Sequence, residues 1–333
     1  MPEKNKTIAV IGDGSWATAL IKILTENKLT VNWYVRKKDS IEFIKKHKNN
    51  PDYLSNVILD ISKINFFNNP AEAIKNSKMI IFVVPSEFLP GIMKTITAEQ
   101  LQDKFVVSAI KGIIEEKNIT ICSYFNDFFD VPVQKMCVIS GPCHSEEVAL
   151  NKLSYLTIAS QNEKLAKAIA IYFTRPYIKT IISDDIFGTE YATVLKNIMS
   201  LGAGICNGLD YGDNFQAVLV SNAIREIKRF TKAVHPISRD INESAYLGDL
   251  LVTSYSEFSR NRTFGKLIGK GMSVSQALKS MKMIAEGYHA TRCIYEINKE
   301  ISAEMPITEA VYRILFEKAN PAKEIEKLTE KLR

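Results

Sequence analysis

The chain has 333 residues, of which 46% are hydrophobic and 24% charged, and its formal net charge is +6. At about 150 residues per domain this length suits two globular domains with sizeable cores. The basic excess is mild and comes without zinc-finger spacing or an RNP-like aromatic motif, which argues against nucleic acid and leaves anionic small molecules as partners.

Five cysteines (Cys122, Cys137, Cys143, Cys206, Cys293) are odd in number, widely spaced and without a CxxC pair. That pattern fits reduced thiols in a cytoplasmic protein rather than a disulfide framework. His47, His144, His235 and His289 form no HxxxH or HExxH pair, so no metal is expected. The first apolar run breaks at Gly12-Asp13-Gly14, unlike a secretory h-region, and no run is long enough to insert into a membrane.

In chain order, Ile8–Ile11 reads as a short buried strand, Gly12 and Gly14 as a sharp turn, and Ser15 as the N-cap of a helix whose apolar face holds Trp16, Leu20, Ile23 and Leu24. Strand, glycine turn and helix start together form a cradle for a pyrophosphate, with Ala17 in the third place of a G-x-G-x-x-G/A pattern. Val31–Val35 is a second strand. At its end, where an acid usually holds the ribose 2′-hydroxyl, stand Arg36, Lys37 and Lys38. Arg36 and Lys37 suit a 2′-phosphate, so NADPH is expected to be accepted.

Further strands follow at Ile64–Phe67, Met79–Val84, Phe105–Ala109, Met136–Ile139, Ser154–Ala159 and Ile178–Ser183. Helical stretches lie between them at Ser40–Lys48, from Asn69-Pro70, at Glu87–Ile96 and at Asn162–Phe173. This alternation predicts an α/β domain over residues 1–185, a doubly wound, Rossmann-type and mostly parallel sheet. Ligands of such sheets sit beyond the strand carboxyl ends, which here carry the glycine turn, Lys111 and the Ser140–Cys143 turn. From Ile186 onward no strand pattern remains, and residues 186–333 are expected to be an all-α domain.

Ile186–Cys206 carries only Glu190 and Lys196 as charges, so this helix should be buried on most sides. Lys196 shares its side with Thr189, Thr193, Asn197, Ser200 and Gly204, a small and mostly polar stripe. Such a lysine either projects into a narrow polar cleft with a lowered pKa or snorkels to the surface. Downstream, Gly248-Asp249 offers an acid within an apolar run, and Ser259-Arg260-Asn261-Arg262 suits a phosphate, since guanidinium donates parallel hydrogen bonds.

Taken in order, Gly12–Leu20, Val84-Pro85-Ser86, Lys111-Gly112, Ser140-Gly141-Pro142, Leu195-Lys196-Asn197, Gly212-x-Asn214, Gly248-Asp249-Leu250, Ser259–Gly265 and Glu286-Gly287-Tyr288 resemble the bacterial-type NAD(P)-dependent glycerol-3-phosphate dehydrogenases over nearly the whole chain. The resemblance implies reversible reduction of dihydroxyacetone phosphate to sn-glycerol 3-phosphate, feeding glycerophospholipid synthesis, with NAD(P)H as cofactor. It implies Lys196 as general acid/base, with Asp249 and Asn197 holding Lys196 and the substrate hydroxyls, and Lys111 touching both cofactor and substrate. Ser259, Arg260 and Asn261 would take the substrate phosphate, and Gly141 and Cys143 would line the substrate. The cofactor would meet Gly12, Gly14, Ser15, Trp16, Arg36, Lys37, Tyr53, Ser145, Arg260, Ile284 and Glu286.

Two places depart from the family pattern. Ala17 stands where Gly is usual, and Cys143-His144-Ser145 replaces x-Phe-Ala, bringing a second titratable group near the site. A related two-domain dehydrogenase of another hydroxy acid and a non-catalytic NAD(P)-sensing module remain the alternatives. The oligomeric state is open, a homodimer being one option.

Overall fold

The computed structural model describes residues 7–281 and 285–333. Two compact units emerge: one comprises the chain through Ile110 together with Ile121–Ile186, the other Lys111–Thr120 together with Phe187–Arg333. The ten-residue segment that carries Lys111 therefore belongs with the helical half, although it lies in sequence between two strands of the sheet.

Eight strands form the first unit's sheet: β1 (Ile8–Ile11), β2 (Val31–Tyr34), β3 (Ile64–Phe67), β4 (Met79–Phe82), β5 (Phe105–Ser108), β6 (Met136–Ser140), β7 (Ser154–Ala159) and β8 (Ile178–Ser183). Their order is β3-β2-β1-β4-β5-β6-β7-β8, and every neighbouring pair is parallel except β6 with β7. A parallel crossover needs a dozen or more residues and usually a helix to return the chain. Between β6 and β7 the helix Ser145–Ala149 has five residues, and the chain doubles back instead.

β1 and β4 are buried at every residue, which is why each is a continuous apolar run rather than an alternating one. The strand order reverses at this pair, with Ile11 beside Phe82, making their carboxyl ends the switch point at which α/β sheets bind ligands.

Some boundaries differ from the sequence reading. Helix α1 (Ser15–Glu26) takes Gly14 as its N-cap, and Ser15 is its first helical residue. The helix expected over Glu87–Ile96 divides into a 3-10 turn at Ser86–Phe88 and a short helix at Leu89–Met93. Pro90 has no N–H to donate to the preceding turn, so one continuous helix cannot form there.

The second unit, among the described residues, contains helices and an isolated bridge between Ile114 and Ile119. Its axis is α2 (Ile186–Gly208), buried without interruption from Ala192 to Cys206. Around it lie α3 (Asp213–Val234), α4 (Asp249–Tyr255), α5 (Arg260–Gly269), α6 (Glu286–Ile301), α7 (Pro306–Phe316) and α8 (Pro321–Thr329). Glycines permit the closest of these contacts. A Cβ on Gly204 would collide with the Arg262 carbonyl, and one on Gly265 with that of Leu201; Gly208 and Gly269 crowd each other in the same way. Residues four apart lie on one helix face, so α2 and α5 touch backbone to backbone along these pairs. No described helix is long and apolar enough to cross a membrane.

Candidate active site

In the first unit, the β1–α1 turn begins at Gly12, whose φ of +138° and contact with the Val83 carbonyl exclude a side chain. Trp33 Nε1 donates to the Gly12 carbonyl at 2.7 Å and holds the turn from beneath. Gly14 has open space where a Cβ would stand. The helix that follows has no side-chain cap and no acid in its first turn, and the Trp16 indole N–H is buried without a partner. Uncapped amides at a positive helix end, behind a glycine with open space, fit a diphosphate.

Asn50 was not singled out from the sequence, yet it organises this rim. Its buried amide donates to the Asp13 carbonyl at 3.0 Å and to Thr18 Oγ1 at 2.9 Å, while its oxygen accepts from the Asp52 and Tyr53 amides. Tyr53 is thereby fixed to the glycine turn. Arg36 and Lys37 are exposed at the end of β2, where the Lys37 ammonium lies 3.7 Å from Asp52. At the end of β6, Gly141 has a φ of +112° and packs on the Tyr155 carbonyl, to which the Cys143 thiol also donates at 3.1 Å. Ser145 opens the short helix beyond and bonds Glu146 at 3.0 Å.

In the second unit, residues far apart in sequence meet. Lys196 Nζ donates to Asp249 Oδ1 at 2.5 Å and to Thr253 Oγ1 at 3.1 Å. Thr253 in turn donates to the Asp249 carbonyl at 2.6 Å, and Lys111 Nζ stands 3.7 Å from Asp249 Oδ2. Lys196, Asp249 and Thr253 are buried, whereas Lys111 is partly exposed. A π turn at Ser244–Gly248 runs directly into α4 and delivers Asp249 at its first position; such turns recur at functional sites. Burial pulls the Lys196 ammonium down from its ordinary value to about 7; Asp249 opposes this and Lys111 adds to it.

The stripe below Lys196 aims α5. Ser200 donates to the Thr253 carbonyl at 2.7 Å and shares a 2.9 Å bond with Ser259, whose oxygen caps α5 through the Arg262 amide. Asn261 accepts from the Gly287 amide at 2.9 Å, and Gly287 is pressed against the Asn197 carbonyl. Arg260 is exposed beside them at the first turn of α5, and Glu286 begins α6. Asn197 donates to the Lys111 carbonyl at 2.9 Å, Ser259 caps α5, and the Cys143 thiol donates to the Tyr155 carbonyl on β7. Ile284 lies outside the described residues. Thr253 and Ser200 were legible only as positions four residues beyond Asp249 and Lys196.

Residues 7–166 match the family model for the N-terminus of NAD-dependent glycerol-3-phosphate dehydrogenase, and residues 185–326 match its C-terminus. The chain belongs to this family. It is 35% identical over 321 residues to a glycerol-3-phosphate dehydrogenase [NAD(P)+] of Clostridium botulinum, covering 96% of each protein. To the corresponding protein of Enterococcus faecalis it is 33% identical over 312 residues, covering 93% of this chain and 91% of the other. The crystal structure of glycerol-3-phosphate dehydrogenase from Coxiella burnetii superposes with a TM-score of 0.91 at 26% identity, covering 98% of this chain and all of that one. The mostly parallel sheet followed by an all-helical half is thus the architecture of the glycerol-3-phosphate dehydrogenase family, and NAD(P)H is the cofactor that membership implies.

Proposed function

We propose that this chain reduces dihydroxyacetone phosphate reversibly to sn-glycerol 3-phosphate with NAD(P)H, supplying a glycerophospholipid precursor. The observation that carries the reading is the buried Lys196–Asp249 pair with Lys111 beside it, in a chain of this family. When bound, the nicotinamide would supply a hydride to the carbonyl carbon. Addition there leaves negative charge on oxygen, and Lys196 answers it by giving up a proton. Two of the three ammonium donors are placed on Asp249 and Thr253, which leaves the third for the substrate oxygen. Lys111 contributes a second positive charge, and Asn197 holds its backbone.

Arg260 and Asn261, at the first turn of α5, receive the substrate phosphate, and Ser259 serves them by capping that helix. Gly141 is a further substrate contact. Gly12, Gly14, Ser15 and Trp16 cradle the diphosphate, with Arg36, Lys37 and Tyr53 toward the adenosine and Ser145 and Glu286 as further contacts. A cytoplasmic location agrees with five buried cysteines, none of which is in a disulfide. Reduced-nicotinamide absorbance on adding dihydroxyacetone phosphate, with NADH and NADPH in parallel, tests the reading. Cofactor binding without turnover would replace it with a sensing role.

A further inference from the structure

The acid that normally takes the adenosine ribose 2′-hydroxyl sits at the end of β2, about 20 residues past the glycines. Here that place holds Arg36, but a carboxylate reaches it from elsewhere. Asp13, between the two glycines, accepts the Arg36 backbone N–H on Oδ2 at 3.1 Å. The backbone on both sides is fixed. Val35 donates to the Phe67 carbonyl at 2.9 Å, and the Asn68 amide donates to the carbonyls of Val35 and Arg36. Asn50 and Trp33 pin the carbonyls of Asp13 and Gly12. One carboxylate oxygen is thus held on the Arg36 amide, and the other is left to meet a donor.

We propose that Asp13 is a specificity-determining residue of the cofactor site, receiving the ribose hydroxyls and weakening the binding of a 2′-phosphorylated cofactor that Arg36 and Lys37 would otherwise favour. This rests on the cofactor reading above. A ribose hydroxyl donates to a carboxylate, whereas a phosphate dianion has little to donate and is repelled by it. The cations opposing Asp13 are fewer than the Arg36-Lys37-Lys38 run suggests, because Lys37 already has Asp52 as a neighbour. Asp13 and Arg36 act at one spot: the half-buried Tyr34 phenol is pushed up by burial and by Asp13 and drawn back by Arg36.

Dissociation constants of NADH and NADPH, read by fluorescence titration on the full-length wild type and Asp13→Asn, test the proposal. Asparagine keeps an acceptor for the Arg36 amide and removes the charge. The ratio of NADPH to NADH affinity should rise about tenfold, and the change should shrink as salt screens the exposed site. An unchanged ratio would overturn the role of Asp13. If the asparagine variant fails to fold, Asp13→Ser carries the same comparison. Failure of the wild type to bind either nucleotide would instead overturn the cofactor site, and with it this proposal.

Discussion

Lys196 and Asp249, 53 residues apart in sequence, are joined by a 2.5 Å hydrogen bond in which both side chains are buried. The other oxygen of the acid has no hydrogen bond and faces Lys111 at 3.7 Å. Removing the amine while leaving the first unit untouched separates chemistry from cofactor capture. In Lys196→Ala, turnover should fall by about 10²–10⁴-fold, the usual contribution of a positioned acid or base. NADH binding, followed by fluorescence, should stay close to wild type. Near-normal turnover would remove Lys196 from its role.

The pH dependence follows from the lowered pKa of Lys196, near 7 in the absence of ligands. Reduction requires the protonated amine, so its kcat/KM should decline as pH rises through about 7. Oxidation of glycerol 3-phosphate requires the neutral amine and should climb over the same range. Asp249 raises this pKa and Lys111 lowers it. Asp249→Asn should therefore move the inflection to lower pH and Lys111→Met to higher pH, and two shifts in the same direction would contradict the arrangement.

Arg260 lies at the exposed first turn of α5. A charge-assisted hydrogen bond to phosphate contributes about 1.5–3 kcal/mol. Arg260→Ala should accordingly raise KM for dihydroxyacetone phosphate by roughly 10–100-fold with a smaller change in kcat. Steady-state kinetics with saturating NADH would show it, and an unaltered KM would place the phosphate elsewhere.

The contact between α2 and α5 sets a stability test. A methyl on Gly265 meets the Leu201 carbonyl, a backbone atom that cannot turn aside. Gly265→Ala should lower unfolding stability by about 1–3 kcal/mol, the range for overpacking, measurable as a reduced urea midpoint. Activity should drop as well, because the same helix carries Arg260 and Asn261.

Much of the fold was legible because its signals are local. Ile64–Phe67, Ser154–Ala159 and Ile178–Ser183 stand out as β-branched and aromatic runs and coincide with β3, β7 and β8. The charge-poor stretch around Lys196 announced its burial, since a long helix with two charges has few sides to show to water. The cap falls one residue before Ser15, because glycine can also cap a helix and carries no side-chain signal there. The site was less legible. No periodicity joins Lys196 to Asp249 or Lys111, and resemblance alone brought them together. No local pattern marks Asp13 or Asn50, whose partners lie on other segments, at Arg36 and at Thr18 and Tyr53.

The excursion at Lys111–Thr120 makes the two halves poor cassettes for exchange. The chain passes between them after Ile110, after Thr120 and again after Ile186. Ile113 is buried in the core of the helical half, and Asn197 takes the Lys111 carbonyl as its partner. A chimera of two related enzymes spliced at Ile186 would draw this lysine loop from one parent and the helix that grips it from the other. Recombination that keeps each half intact therefore needs three junctions rather than one.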